Sequence, residues 1–306
     1  MATFRRIAFF IGLNIIVVLT LSFVMSLLGI GSYLDANGIN YGSLIAFCLI
    51  WGMGGAFISL FLSKKIAKWT MGVEIIDPQT SNADLRDLVQ TVHGLARQAG
   101  LTTMPEVGYY RSPEVNAFAT GPTKNNSLVA VSTGLLSSMD KRSVDGVLGH
   151  EVAHIANGDM VTMTLLQGVV NAFVMALARV VAFAIDQFLR GRDENSSGLG
   201  GLAYPFTVMA LEIVLFIPGS MIVAYFSRMR EYRADIGGAK FAGRENMIGA
   251  LRSLQRLHDV NLQVPEKSGA IAALKIDTNK GGRMALLFST HPPLEARIAR
   301  LERQAL

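Results

Sequence analysis

The sequence predicts an α-helical membrane protein with an α+β soluble domain that is assembled from two separate chain segments. The chain has 306 residues, of which 51% are hydrophobic and only 17% are charged. Soluble domains of this size carry about 25% charged residues, so this composition argues against a wholly soluble, fibrous or disordered protein. Four apolar stretches are long enough to cross a bilayer, which takes about 20 helical residues. The segments that follow the second and fourth stretches are polar and carry helix and strand patterns.

The four predicted spans cover residues 7–34, 36–63, 160–178 and 202–226. The first is too long for the apolar core of a signal peptide and is predicted to be an uncleaved anchor. Arg179 follows the third span and Glu212 lies within the fourth, and an isolated charge at membrane depth is costly. If these two spans form an antiparallel hairpin, both residues lie at similar depth, so we predict that they pair. The alternative is that Arg179 extends to the membrane surface and Glu212 is protonated.

Basic residues predict the orientation in the membrane. They flank the spans on one side at Arg5, Arg6, Lys64, Lys65, Lys68, Arg228, Arg230 and Arg233. On the opposite side, the connection between the first and second spans carries no Lys or Arg. The connection between the third and fourth spans carries two Arg, which two acidic residues balance. The positive-inside bias therefore places both termini and both soluble segments in the cytoplasm. The net charge of +5 is explained by this topology and needs no nucleic-acid partner.

The single cysteine, Cys48, excludes an intramolecular disulfide and a cysteine-cluster metal site. It is also compatible with a reducing compartment, as the predicted orientation requires.

The predicted domain organisation alternates membrane and soluble parts. Residues 1–69 form two membrane helices, 70–157 the first half of the soluble domain, 158–227 two further membrane helices and 228–306 the second half. Within the soluble halves, hydrophobic periodicity predicts helices over 82–99, 141–157, 228–241, 244–258 and 293–304. Extended runs predict strands over 105–110, 114–120 and 127–133, the last two joined by a hairpin turn at 121–126. Residues 261–282 are predicted to form a mobile loop.

The segment His150-Glu151-Val152-Ala153-His154 lies on the predicted 141–157 helix and indicates a zinc site. Histidines at positions i and i+4 lie on one helical face, so both imidazoles reach a single metal ion. The glutamate between them is placed to take a proton from a water that zinc activates. The alternative is a helix that merely carries two partly exposed histidines.

A catalytic zinc site needs a third protein ligand. Glu231, Asp235, His258 and His291 are the downstream candidates, and Glu231 is favoured by its spacing from Asp235. With the two carboxylates one turn apart, Glu231 binds the metal while Asp235 accepts an N–H from a ligand histidine. The alternative is an ordinary helix of alternating charge at the membrane surface.

Four motifs together resemble the HtpX heat-shock membrane metalloproteases, relatives of the CaaX prenyl proteases. The resemblance extends over essentially the whole chain. It is carried by the His-Glu-x-x-His motif, Glu231-x-x-x-Asp235, Asn116-Ala117-Phe118 and Thr290-His291-Pro292-Pro293.

This resemblance implies a zincin-like metalloprotease domain with one Zn²⁺ per chain. Its ligands match His150, His154 and Glu231, and its general base matches Glu151. It further implies a multi-pass protein of the bacterial inner membrane that degrades misfolded or damaged membrane proteins under stress. Protein substrates, membrane lipid and other quality-control proteases are the expected partners, and nucleic acid is not expected.

Two further roles are predicted. His291, in a turn stiffened by two prolines, is a candidate donor to the tetrahedral oxyanion; the alternative is a histidine that caps or packs a helix start. Asn116, Ala117 and Phe118 are candidates for an edge strand that pairs with an extended substrate; the alternative is an ordinary core hairpin.

Two rival functions fit the sequence less well than proteolysis does. A catalytically idle scaffold that keeps zinc for folding has no need of Glu151, since a structural site usually closes with four protein ligands. A transporter using Arg179 and Glu212 is disfavoured because the spans show no internal symmetry.

Overall fold

The computed structural model describes residues 41–190, 198–263 and 287–304. Their contacts divide the chain into two compact units. One, the helical unit, contains the described residues up to Ser59 and Met163–Val223. The other, the sheet unit, contains the described residues of Leu60–Thr162 and Ala224–Leu306.

The described elements follow one another in this chain order: α1 (Tyr41–Met71), β1 (Glu74–Ile75), α2 (Ala83–Gln98), β2 (Glu106–Tyr110), β3 (Ala117–Thr123), β4 (Asn126–Ser132), α3 (Thr133–Ser138), α4 (Lys141–Asn157), α5 (Asp159–Arg190), α6 (Gly200–Ala242), α7 (Arg244–Gln263) and α8 (Leu294–Arg303).

Three helices of the described chain are long and apolar enough to cross a membrane: α1 from Gly42, α5 and α6. They contain the third and fourth predicted spans and the second from residue 41 onward, whereas residues 36–40 and the first predicted span lie outside the described residues. Each helix continues beyond its apolar stretch, and α6 runs unbroken for 43 residues. The helix predicted for 228–241 is therefore present as the continuation of α6 and not as a separate element. A change from apolar to charged side chains changes the surroundings that a helix prefers, but it does not break the backbone hydrogen-bond ladder.

In the helical unit, α1 packs closely on α5 where both carry small residues. Leu44, Cys48 and Ala172 form a buried cluster there. A Cβ atom added to Gly52 would lie 2.4 Å from the backbone nitrogen of Ala172, so no larger residue fits. Small residues commonly allow this approach between membrane helices.

The predicted pairing of Arg179 with Glu212 is confirmed. Nη1 of Arg179 donates to Oε1 of Glu212 over 2.7 Å, and also to the carbonyl oxygen of Met175 over 2.9 Å. The guanidinium carbon lies 5.0 Å from the ring centroid of Phe47. The charge that α5 carries is therefore neutralised by α6 and covered by an aromatic ring of α1.

The sheet unit is built on a four-stranded mixed sheet with the order β1-β2-β4-β3. Strands β2 and β4 are parallel, while β1 pairs antiparallel with β2 and β3 antiparallel with β4. The predicted hairpin is present, with Lys124 and Asn125 at its turn, but β3 begins at Ala117 rather than at 114. Its position makes β3 an edge strand of the described sheet. The two-residue β1 and the short α3 were not predicted.

Helices α2 and α4 pack on one face of the sheet around a buried apolar cluster. Val92 of α2, Val129 and Val131 of β4, and Val152 of α4 are completely buried in it. Asn82 caps α2 through its side chain, and Gly100 adopts a left-handed conformation just beyond the end of that helix. Helix α7 extends five residues beyond its predicted end, so part of the predicted 261–282 loop is helical; residues 264–282 lie outside the described chain.

The Arg179–Glu212 contact is expected to stabilise the helical unit. Replacing either residue by Ala should lower the unfolding free energy in detergent, because the remaining charge loses its partner. In a double-mutant cycle we expect a coupling of about 0.5–2 kcal/mol, the range found for polar contacts between membrane helices. The charge-swapped variant Arg179→Glu/Glu212→Arg should recover much of the loss, and a coupling of zero would contradict the pairing.

Candidate active site

The zinc-motif helix α4 is fixed at both ends by local interactions. The side chain of Asp140 accepts a hydrogen bond from the backbone N–H of Ser143 and caps its start. Gly158 ends the helix in a left-handed conformation with φ of 70°. The prediction for 141–157 is thus confirmed, and it places His150 and His154 one turn apart on the last turns of the helix.

Two glycines bring helix α6 against the motif. A Cβ atom on Gly237 would lie 2.6 Å from Cβ of Ala153, and one on Gly238 would lie 2.9 Å from the backbone nitrogen of His150. Both distances are shorter than any real Cβ contact, so the two helices approach backbone to backbone here. Because of this close approach, Asp235 and Glu231, which lie earlier on α6, reach the two histidines.

His150, His154 and Glu231 converge into one potential metal site. Their ligand atoms all lie within 4.8 Å of one another. The two Nε2 atoms are 3.1 Å apart, and the Glu231 oxygens lie 3.5 Å from Nε2 of His150 and 3.4 Å from Nε2 of His154. Ligands at 2.0–2.1 Å from a tetrahedral zinc ion are about 3.3 Å apart, so the spacing fits that ion.

The chemistry of Glu231 also fits a metal ligand. The residue is 4% exposed, and its Oε2 atom is buried; Nδ1 of His291 lies 2.9 Å from this oxygen but is not aligned for a hydrogen bond. A buried carboxylate oxygen without a donor is costly. A cation between the three side chains would satisfy it.

Each histidine uses its other ring nitrogen to contact a carboxylate. Nδ1 of His150 lies 3.0 Å from Oδ1 of Asp235, and Nδ1 of His154 lies 2.6 Å from Oδ2 of Asp159. Arg297 of α8 forms a bidentate pair with Asp235, with N–O distances of 2.8 and 2.6 Å. These contacts leave both Nε2 atoms facing the site.

The carboxylates also control the charge of the histidines. Burial lowers the pKa of His154, but its contacts with Asp159 and Glu231 outweigh burial and raise the pKa to about 10. The pKa of His150 is likewise raised, because Asp235 and Glu231 more than offset its burial. Metal ligands are neutral imidazoles, so a bound cation has to displace these protons.

Glu151 and His291 lie beside this cluster in different ways. Glu151 is half-buried on α4, and its carboxylate makes no hydrogen bond to any described residue. Nδ1 of His291 lies 2.9 Å from Oε2 of Glu231, and the side chain is 53% exposed. Arg228 fixes the segment before His291, since it donates to the carbonyl oxygen of Ser289 over 2.6 Å. The site therefore contains the Glu151 carboxylate, without a hydrogen bond to a described residue, and the solvent-accessible imidazole of His291.

The other predicted residues lie outside the cluster. Ala117 of β3 packs against the core that contains α4, while the ring of Phe118 lies on the opposite face, 5.8 Å from that of Tyr110. The backbone of Asn116 pairs with Ser132, the last residue of β4. His258 lies on α7 and is not part of the metal cluster.

Two residues of the site were missed from the sequence. Arg297 shares a face of α8 with Leu301, and a basic residue among apolar positions signals a buried ion pair. Asp159 stands in the first turn of α5, where an acidic residue is ordinarily explained by the helix dipole. Its position therefore gave no sign of a role at the metal site.

Comparisons with known proteins agree with this geometry. The pattern of peptidase family M48 matches residues 82–305. A Protease HtpX homolog from Paracidovorax citrulli is 54% identical over 299 residues, which cover 97% of this chain and 98% of the relative. Protease HtpX from Shewanella sp. is 51% identical over 299 residues, covering 97% and 99%.

The crystal structure of S. mikatae Ste24p shares the fold. It superimposes with a TM-score of 0.60 at 17% identity, covering 94% of this chain and 65% of that chain. Since the family match, the close relatives and the His-Glu-His cluster all agree, the chain belongs to peptidase family M48 and is a membrane metalloprotease of the HtpX type.

Proposed function

We propose that the chain is a zinc endopeptidase in which His150, His154 and Glu231 hold one Zn²⁺ and Glu151 is the general base. The observation that carries this proposal is the convergence of two imidazole Nε2 atoms and a buried carboxylate at zinc-like spacing. Three protein ligands leave a fourth position for water or substrate, as catalytic zinc sites require.

When bound, zinc would polarise the scissile carbonyl and lower the pKa of a water molecule to about 7. Glu151, whose carboxylate has no hydrogen bond to a described residue, would take the proton of this water and then deliver it to the leaving amine. His291 donates to the oxyanion that develops on the carbonyl. Its contact with Glu231 and its exposure support a position between the ligand and the substrate.

The extended substrate is proposed to pair with the segment Val115 to Thr120. This segment includes the start of β3, which among the described strands pairs with β4 alone, so its other edge is the one that would accept a strand by β-addition. Asn116 would supply its side-chain amide and Phe118 an apolar contact. Ala117 and Ala119 pack toward the core that holds α4, which supports a substrate path close to the motif helix.

The cellular role is proposed from topology and family together. The basic residues at one end of the spans support an orientation with both termini and the catalytic halves, 70–157 and 228–306, in the cytoplasm of a bacterial cell. Residues 1–69 and 158–227 would anchor them in the inner membrane. Misfolded or damaged membrane proteins are the proposed substrates, in concert with other quality-control proteases.

The rival function is a catalytically idle scaffold that binds zinc for folding. Such a protein would bind metal yet fail to cleave casein, with or without a chelator. The carboxylate of Glu151, which lies beside the proposed ligands and has no hydrogen bond to a described residue, argues for catalysis instead. A structural zinc site would gain nothing from such a carboxylate.

Glu151→Gln is expected to retain stoichiometric zinc and to lose proteolysis, since the amide has the same shape but cannot accept the proton. Metal content and casein cleavage would be measured on the full chain in detergent, with chelator-treated wild type as the control. General-base catalysis contributes about 10²–10⁴-fold. Turnover above about a hundredth of the wild-type rate, a loss smaller than this range, would refute this assignment.

Glu231→Ala is expected to reduce zinc occupancy, because the site loses its only carboxylate ligand. His258→Ala, which removes a histidine outside the cluster, is the matched control and should retain full occupancy. Asp235→Ala should weaken zinc affinity or activity by about 10–100-fold, as expected of a residue that orients a ligand. Stoichiometric zinc in the Glu231 variant would mean that the third ligand is elsewhere.

Ala117→Pro is expected to impair peptide binding more than it lowers the melting temperature. Proline removes a backbone N–H and is best tolerated at a sheet edge, so the fold should largely survive. Binding of a non-cleaved peptide by the Glu151→Gln background and thermal unfolding would be compared. Proportionate losses in both would indicate an ordinary structural hairpin.

A further inference from the structure

The second ligand histidine is held by a carboxylate that lies outside the Glu231–Asp235 pattern. Oδ2 of Asp159 lies 2.6 Å from Nδ1 of His154, and Asp159 is 5% exposed. We propose that Asp159 is a positioning residue for the metal site: it keeps the His154 proton on Nδ1 and leaves Nε2 free to bind zinc. This inference rests on the proposed zinc site and adds a residue to it.

The hydrogen bonding of Asp159 is unusual for its place in the fold. An acidic side chain in the first turn of a helix commonly accepts hydrogen bonds from the backbone amides of that helix. Asp159 instead accepts from an imidazole of the preceding helix, and no described backbone N–H donates to it. The left-handed Gly158 separates α4 from α5, so Asp159 begins a new helix directly after the one that carries His154. The carboxylate is thus directed at the ligand rather than at its own helix.

The second oxygen of Asp159 faces a cation from the ligand helix. Nε of Arg230 lies 3.2 Å from Oδ1 of Asp159, and Arg230 precedes the ligand Glu231 directly in the chain. The Arg230 nitrogen is not aligned for a hydrogen bond, so the contact is an ion pair. Asp159 therefore interacts with one ligand histidine and with the neighbour of the carboxylate ligand.

Asp159 and Asp235 each contact one histidine, but they differ in the other contacts that their carboxylates make. Both oxygens of Asp235 are engaged by the bidentate guanidinium of Arg297, so Asp235 also holds α8 in place. Asp159 has no such bidentate partner, and its hydrogen bond to the histidine is shorter, 2.6 Å against 3.0 Å. Removing Asp159 should therefore affect the metal more selectively than removing Asp235.

The test measures zinc affinity on the full chain in detergent, by competition with a chromophoric chelator. Asp159→Ala should bind zinc about 10–100-fold more weakly than wild type, the loss typical of a residue that orients a ligand histidine. Asp159→Asn retains an acceptor oxygen and should recover part of that loss. Asp145→Ala, a change on the motif helix away from the cluster, is the control and should match wild type. The absorption spectrum of the Co²⁺-substituted protein should shift in Asp159→Ala alone.

Asp159→Ala leaves the Arg230 guanidinium without its ion-pair partner, so Asp159→Ala/Arg230→Leu provides a second measurement without the unpaired charge. It should show the same weakened zinc binding while the metal-free melting temperature returns toward wild type. Zinc affinity within about threefold of wild type in both variants would overturn the inference. Wild-type protein that binds zinc but cleaves no casein would overturn the proposed function alone, since the affinity comparison still decides the role of Asp159.

Discussion

A buried cluster of charges holds the sheet unit together at the candidate metal site. Arg297 is only 7% exposed and Asp235 only 1%. A buried charge costs several kcal/mol unless it is paired. The guanidinium pairs with Asp235, Asp235 contacts His150, and Nη2 of Arg297 lies 3.5 Å from the same ring. Helices α4, α6 and α8 therefore cannot separate without leaving a charge unpaired, and the ligands are held by the same contacts that maintain the fold.

Close helix packing makes this cluster possible. Gly237 and Gly238 let α6 lie directly on α4, and a Cβ atom on Gly146 would come within 2.3 Å of the carbonyl oxygen of Asn246 in α7. Glycine in a helix interior costs roughly 0.5–1 kcal/mol relative to alanine. Here that cost is offset by the approach it permits, since larger side chains would move Glu231 away from the histidines.

In the helical unit, too, a charged side chain is paired with an opposite charge from another helix, here in apolar surroundings. Arg179 and Glu212 are ionisable residues in helices long enough to cross a membrane, and each is the other's partner at 2.7 Å. The pair links α5 to α6, and the ring of Phe47 adds a contact from α1. In both units, then, a charge removed from water is stabilised by a charge from a different helix, which selects one arrangement of the helices over others.

The sequence by itself determined the features that depend on local spacing. Two histidines four residues apart must share a helical face, apolar runs of membrane length must form long helices, and the depth of Arg179 and Glu212 follows from counting residues. Glu231 was favoured among four candidates for a similar reason, its one-turn spacing from Asp235. Only the tertiary structure decided which distant groups surround the ligands. Arg297 meets Asp235 across 62 positions of the chain, and Asp159 contacts His154 across the left-handed Gly158 that separates their helices. Periodicity carries no information about such contacts, since they arise when separate helices pack and each buried charge takes the partner that this packing provides.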